Sequence, residues 1–203
     1  MEIACLDLEG VLIPEIWVSF AERTGIEGFK RTTRDEPDYD RLMRYRLGLL
    51  SRHGMRLPDI QGVIDGLTPL EGAAGFLDRL REDFQVLILS DTFYEFAKPL
   101  MRQLGWPALL CHRLEVDGEG RVVDYRLRQR DPKRQVVKAL HGLNFRVIAA
   151  GDSYNDITML GEADAGILFR PPHNVVQAFP QFPVTRDYDE LLAAFYRASE
   201  RDL

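Results

Sequence analysis

Ile3-Ala4-Cys5-Leu6-Asp7-Leu8-Glu9-Gly10-Val11-Leu12 opens the chain with an apolar run that ends on two carboxylates two residues apart. Residues 3–8 are too apolar for a strand with one solvated face, so they read as a strand covered on both sides, as in a parallel sheet flanked by helices. Gly10 then permits a turn, and Pro14 suits the first turn of a helix to about Thr24. A second apolar run, Phe145 to Ala150, also ends on acids, in Gly151-Asp152-Ser153-Tyr154-Asn155-Asp156. Acids just past the buried strands of such a sheet converge at its carboxyl edge, the usual place for a site. Asp7, Glu9, Asp152 and Asp156 would repel one another without a cation among them, which suggests a cradle for Mg²⁺.

Working outward, residues 25–66 turn polar and charged, with Arg34, Asp35, Glu36, Asp38, Asp40, Arg41, Arg44 and Arg46. Within them Leu42, Tyr45, Leu49 and Leu50 keep helical spacing on one face. The stretch reads as a small helical cap inserted after the first strand: core domain 1–14 and 67–203, cap 15–66. The core resumes with a helix opening at Pro69 and running to about Arg81, then a strand Gln85–Leu89 ending in Ser90-Asp91-Thr92, then a helix through Leu104 closed by Gly105. Alternation from Leu109 to Arg128 around Asp117-Gly118 predicts a hairpin. A helix Pro132–His141, the strand Phe145–Ala150, a helix through Leu160, a strand Ala165–Phe169 and a helix from Tyr188 complete the chain. Strands alternating with helices make the fold α/β and Rossmann-like, with a mainly parallel sheet covered by helices.

The 203 residues suit one large domain, or a core with a smaller insert. The net charge of −6 speaks against nucleic acid as a partner, because phosphate backbones need a basic patch. No apolar run reaches membrane-spanning length. Two cysteines, Cys5 and Cys111, fit a reducing compartment, and no basic leader precedes the first strand, so the expected place is the cytoplasm.

Phosphoryl transfer through an aspartyl phosphate needs a carboxylate nucleophile, a proton donor for the leaving oxygen and positive charge for the phosphoryl oxygens. Asp7 suits the nucleophile. Glu9 points the same way as Asp7 if the strand pleat continues, and suits the general acid and then base. Ser90 supplies a hydroxyl, and Lys133 a point charge at the start of a helix whose free amides favour anions. Asp152 completes a metal shell, with Asp156 in support.

In this order the motifs Asp7-Leu8-Glu9-Gly10-Val11-Leu12, Leu89-Ser90-Asp91, Lys133 and Gly151-Asp152-Ser153-Tyr154-Asn155-Asp156 resemble those of the haloacid dehalogenase superfamily of phosphatases and phosphotransferases. The resemblance implies Mg²⁺ held by Asp7, by the main-chain carbonyl of Glu9 and by Asp152. A narrower likeness is to phosphoserine phosphatases. It implies that Glu15 grips the substrate ammonium and that Arg46, in Leu42-Met43-Arg44-Tyr45-Arg46-Leu47-Gly48-Leu49-Leu50, meets the substrate carboxylate. Cys111-His112-Arg113-Leu114 and the Asp117-Gly118 hairpin fit the same group. Two positions depart from its pattern: Glu9 stands for an aspartate, and Asp91-Thr92 for a glycine pair. Both lie where the leaving group and the incoming nucleophile sit, so Asp91 joins the substrate-binding candidates. The glutamate is similar to a bacterial branch that passes the phosphoryl group from phosphoserine to homoserine instead of water.

Plainer readings exist for several of these residues. Glu15 suits a first-turn acid favoured by the helix dipole, Arg46 a solvated face, Ser90 a cap for the next helix, and Lys133 an exposed helix lysine. Asn155 could be a helix-start residue, although its place between two acids suggests a phosphate or substrate contact. His53, His112, His141 and His173 have no metal-ligand spacing and read as structural or surface residues. Trp17 and Trp106 read as core anchors, with Trp17 near Glu15 placed to help close a pocket, and the arginines from 126 to 134 as a solvated surface. Two alternatives stand beside the phosphoserine reading. One is a phosphatase of the same superfamily for another small phosphate monoester. The other is a receiver-like signalling domain, which also gathers carboxylates, a hydroxyl residue and a lysine around Mg²⁺ but needs no cap.

Overall fold

The computed structural model describes residues 1–32, 35–36 and 38–200; Arg34 of the charged stretch lies outside them. Strand β1 (Glu2–Leu6) is followed by α1 (Ile16–Thr24), a short 3₁₀ turn (Glu27–Lys30), α2 (Tyr39–Arg52), α3 (Leu57–Asp65) and α4 (Ala73–Asp83). Then come β2 (Gln85–Phe93), α5 (Tyr94–Gln103), the hairpin β3 (Ala108–Val116) and β4 (Val122–Arg126), α6 (Pro132–Gly142) and β5 (Arg146–Gly151). A 3₁₀ turn (Tyr154–Asp156), α7 (Ile157–Glu162), β6 (Ala165–Phe169), α8 (His173–Ala178), β7 (Val184–Thr185) and α9 (Tyr188–Ala198) finish the chain.

The sheet has the order β4-β3-β2-β1-β5-β6-β7. Every neighbouring pair is parallel except the hairpin β3–β4, which is antiparallel. The two faces follow from the period of two along each strand. From β1, Ala4 and Leu6 enter one apolar cluster and Ile3 and Cys5 the other. From β5, Ile148 and Ala150 go to the first and Val147 and Ala149 to the second. The second cluster is closed by α6, α7 and α8, through residues such as Val137, Leu160 and Val175. The first runs without a break from α4, α5 and α9 into α1, α2 and α3, joining Phe76 and Phe195 to Phe20, Leu50 and Ile64.

Several boundaries differ from those expected. β1 stops at Leu6, because the amides of Leu12 and Ile13 both donate to the Leu8 carbonyl and fold the next residues into a tight turn. The pleat that was to aim Glu9 alongside Asp7 therefore does not continue. Pro14 precedes α1, whose N-cap is Glu15. Helix α4 begins at Ala73, because Gly72 at φ 84° breaks the chain from Pro69. β2 runs on to Phe93, its ladder with β3 interrupted between Leu89 and Phe93 and resumed at Phe93 opposite His112. The helices α3 and α8 and the two-residue β7 are additional to the expected elements. Trp17 is buried as expected, but Trp106, in the turn after α5, is 60% exposed and anchors no core.

The hairpin leans on the segment between β1 and α4. The Leu57 amide donates to the Gly120 carbonyl at 2.8 Å, and the Tyr125 hydroxyl to Asp40 at 2.6 Å. No helix among the described residues is long and apolar enough to cross a membrane.

Candidate active site

β1 lies between β2 and β5, and the chain leaves it for opposite sides of the sheet, so the carboxyl ends of these three strands open a crevice. Asp7 is the first residue past β1. Its amide donates to the Ala150 carbonyl at 2.9 Å, which carries the β1–β5 ladder one step further and locks the side chain at the edge. Asp152 is the first residue past β5. Gly10, at φ 82°, lets the β1 turn pass against it; a Cβ on Gly10 would lie 2.6 Å from Asp152 Oδ2. Gly151 serves the same end on the other side, since a Cβ there would collide with Asp156.

Asp7, Asp152 and Asp156 each offer an oxygen within 4.8 Å of the others. Lys133, on the first turn of α6 and buried, places Nζ 2.8 Å from Asp7 Oδ1 and 2.7 Å from Asp156 Oδ1. Asp156 has no exposure, and its other oxygen accepts the amides of Asp152 at 2.9 Å and Ser153 at 3.1 Å. It ties the loop after β5 to the lysine. Three buried or half-buried carboxylates against one ammonium leave an excess of negative charge. Burial, then repulsion from Asp156, raises Asp7 well above the ordinary carboxylate range despite Lys133. Burial, then Asp156 and Glu15, pushes Asp152 up to about 7. Burial alone would lower Lys133, but Asp156, Asp7 and Asp91 outweigh it and hold it well above its usual value. A cluster of hard oxygen donors with uncompensated charge fits Mg²⁺. The main-chain carbonyl of Glu9 is the further ligand the resemblance implied; the Glu9 carboxylate is not in the trio.

That carboxylate turns toward α1. Glu9 Oε2 accepts the amide of Ile16 at 2.9 Å and so caps the helix that Glu15, at the N-cap itself, leaves without a side-chain bond. Burial, then repulsion from Glu15, pushes Glu9 up to about 8 against the Ile16 amide, the Thr92 hydroxyl and Arg46. Glu15 is exposed at the mouth.

Arg46 is on the inner face of α2, 7% exposed. Its guanidinium lies over the Trp17 ring, 4.8 Å from the centroid, and Nη2 donates to the Arg31 carbonyl at 2.8 Å. Nε is buried with no hydrogen-bond partner among the described residues. Burial lowers its pKa, while Tyr39, Glu9 and Glu15 favour the charge.

On the β2 side, the break in the ladder turns Ser90 and Asp91 out of register. Ser90 is buried, and its Oγ accepts the Thr92 amide at 3.2 Å rather than capping α5. Asp91 stands 3.5 Å from Lys133 Nζ and accepts Asn155 Nδ2 at 3.0 Å. Burial would raise Asp91, but Lys133, His112 and Asn155 together hold it well below the carboxylate range. Three further residues meet this site, and the sequence reading gave none of them a role of its own, although Thr92 stood in the departing pair and His112 in a family-like string. The Tyr39 hydroxyl donates to the Asp91 carbonyl at 3.4 Å, Thr92 lies beside Glu9, and His112 faces Asp91. Tyr39 and His112 belong to no spacing pattern, and Thr92 was visible only as a departure from a glycine pair. Burial pushes both cysteines, Cys5 and Cys111, up to about 12, so neither offers a thiolate.

Residues 1–164 match the family model for haloacid dehalogenase-like hydrolases. The chain is 66% identical over 203 residues to a phosphoserine phosphatase of Pseudomonas syringae pv. tomato, covering 100% of this chain and 86% of the relative. It is also 66% identical over 203 residues to phosphoserine phosphatase ThrH of Pseudomonas aeruginosa, covering 100% and 99%. Among solved structures, a phosphoserine phosphatase from T. onnurineus superposes with a TM-score of 0.72 at 25% identity, over 95% of this chain and 92% of that one. A substrate-bound phosphoserine phosphatase complex gives 0.77 at 20% identity, over 95% and 98%, which speaks for a shared fold.

Proposed function

The chain belongs to the haloacid dehalogenase-like hydrolases, and we propose that it is a Mg²⁺-dependent phosphoserine phosphatase that transfers the phosphoryl group by way of Asp7 to water or to homoserine. Asp7 attacks phosphorus and the bond to the serine oxygen breaks, that oxygen taking the proton of Glu9. Ionised Glu9 then removes a proton from water or from the homoserine hydroxyl. The freed oxygen attacks phosphorus, and the Asp7 carboxylate is regenerated. Lys133, with Ser90, steadies the phosphoryl oxygens, and Lys133 holds Asp7 in line. Asp7, the Glu9 carbonyl and Asp152 would hold Mg²⁺, with Asp156 orienting the loop; bound there, the ion offsets charge on the phosphoryl group.

One observation carries the choice of substrate. Arg46 is buried over Trp17 with a donor unused, and the exposed Glu15 lies near enough to act on both Arg46 and Glu9. A buried guanidinium with an open N–H is matched by a carboxylate, and an exposed acid by an ammonium, which together describe an amino-acid phosphate. Asp91 and Asn155 complete the wall on the phosphoryl side. In this reading residues 15–66 form a cap over the core of 1–14 and 67–203, and closure keeps bulk water from the transfer. The reading gives nucleic acid no part, and the pairing of Arg126 with Glu115 and of Arg134 with Glu162 within the arginine-rich run supports it. The two unpaired, buried cysteines accord with a cytoplasmic enzyme.

The test is incubation with phosphoserine and Mg²⁺, with and without homoserine, following free phosphate and phosphohomoserine. Turnover to free phosphate is expected without homoserine, and phosphohomoserine in its presence. D7N should lose turnover entirely, and E9D should shift the partition between water and alcohol. A D7N variant with near-normal rate removes the mechanism, and an unchanged product ratio in E9D removes the role given to Glu9 in acceptor choice.

A further inference from the structure

His112 is 3% exposed on β3, opposite Phe93, and the reaction described above leaves it unused. Its Nδ1 accepts the backbone N–H of Arg128 at 3.2 Å. A ring nitrogen that accepts carries no proton, so in the neutral ring the proton is on Nε2. Nε2 lies 3.5 Å from Asp91 Oδ1. The other oxygen of Asp91 faces Asn155 and Lys133. Lys133 has three N–H groups; Asp7 and Asp156 take two, leaving one for Asp91. Arg128 also donates from Nη2 to the carbonyl of Pro132, the residue before Lys133, at 3.1 Å. One imidazole thus touches both the β2 irregularity that carries Asp91 and the segment that delivers Lys133.

We propose that His112 is a positioning residue: pinned as the Nε2–H tautomer by the Arg128 amide, it holds the Asp91 carboxylate toward Lys133 and thereby fixes the ammonium beside Asp7. This rests on the reading of Asp7 as nucleophile, but not on phosphoserine as substrate. Imidazole suits the task because its two nitrogens point in opposite directions, one accepting and one donating, and a buried ring with both engaged leaves no polar atom unmatched.

Long-range ¹H–¹⁵N NMR of the uniformly labelled wild-type protein, without substrate, reads the tautomer directly. The expected spectrum near neutral pH has a protonated Nε2 and a bare Nδ1 for His112; a protonated Nδ1 overturns the proposal. Kinetics then follow p-nitrophenyl phosphate, which has neither carboxylate nor ammonium, so an error in the substrate assignment leaves the test intact. In H112Q the amide nitrogen reaches the Nε2 position and keeps the donor to Asp91. In H112N the shorter side chain matches Nδ1 and loses that reach. H112N should lower kcat about tenfold with KM little changed, and H112Q should recover most of it. Added to D91N, H112N should cost less than about twofold more, because the two act through one contact. Equal losses in H112N and H112Q, or losses that multiply with D91N, overturn it. The tautomer measurement needs no variant, so it decides the question if H112N does not fold.

Discussion

Arg46 shows how one side chain is selected from several of its kind. Arg41 pairs with Asp38, Arg44 with Asp40, and Arg52 donates to its own helix, all in solvent. Arg46 follows Leu42 by four residues and Met43 by three and precedes Leu50 by four, so the 3.6-residue period turns it inward with them. From the sequence, Arg46 had the plain reading of a solvated face, and only the resemblance to a family motif set it apart from its neighbours. The open Nε and the Trp17 ring beneath it were not readable, because Trp17 comes from another helix. R46A should lower kcat/KM for phosphoserine about a hundredfold, near the loss of two charge-assisted hydrogen bonds. R46K should recover little, since an ammonium lacks the planar fork and the stacking. A phosphate ester without a carboxylate should change less than about threefold. Steady-state kinetics on the two substrates decides it; equal losses on both would point to another small phosphate monoester.

At the scale of elements, the long apolar strands and amphipathic helices were legible because their periods are local. β6 and the start of α6 fall where the pattern puts them. The misses lie where a neighbour decides. β1 ends at Leu6 because the Leu8 carbonyl is taken by a turn, and the irregularity at Ser90–Thr92 exists only against β3. Glu9 capping α1 from seven residues away follows from that turn and has no local signature. The site depends on α1 and α2 keeping their places, and an aromatic cluster holds them. Phe29, fully buried on the short turn between them, stacks on Trp17 at 5.5 Å and meets Phe20 edge-on at 5.0 Å. F29A removes a core ring and its aromatic contacts, and should destabilise the fold by about 3–5 kcal/mol. It should also raise KM for phosphoserine, since Trp17 underlies Arg46. Urea denaturation beside kinetics checks both; a loss under about 1 kcal/mol would show that α1 and α2 are held elsewhere.

For the whole molecule, alternation of strands and helices announced a parallel sheet, but not that β1 would lie between β2 and β5, since strand order is set by packing rather than by any local period. That order gathers acids separated by about 145 residues of chain into one crevice, at an electrostatic cost that pH should expose. Asp7 is raised by burial, Asp156 and Asp152 against Lys133. Glu9 reaches about 8 through burial and Glu15, against the Ile16 amide, Thr92 and Arg46. Asp152 reaches about 7 through burial, Asp156 and Glu15, against Lys133 and Ser153. In the unfolded chain these groups titrate near ~4. Between that value and 7–8 the folded protein therefore binds more protons than the unfolded chain, and stability has a negative slope against pH. The contribution is complete below the unfolded value and is lost as pH rises through the folded ones. Asp91, held below the carboxylate range, works in the opposite sense, but its window lies below ~4 and does not overlap. In EDTA, the urea midpoint should fall between about pH 5.5 and about pH 8.5. Added Mg²⁺ should flatten or reverse that fall, because it binds the ionised carboxylates of the folded state. D152N should remove part of the slope in EDTA and most of the response to Mg²⁺. A midpoint that rises with pH in EDTA would mean that the crevice carries no uncompensated negative charge, and the cation cradle would go with it.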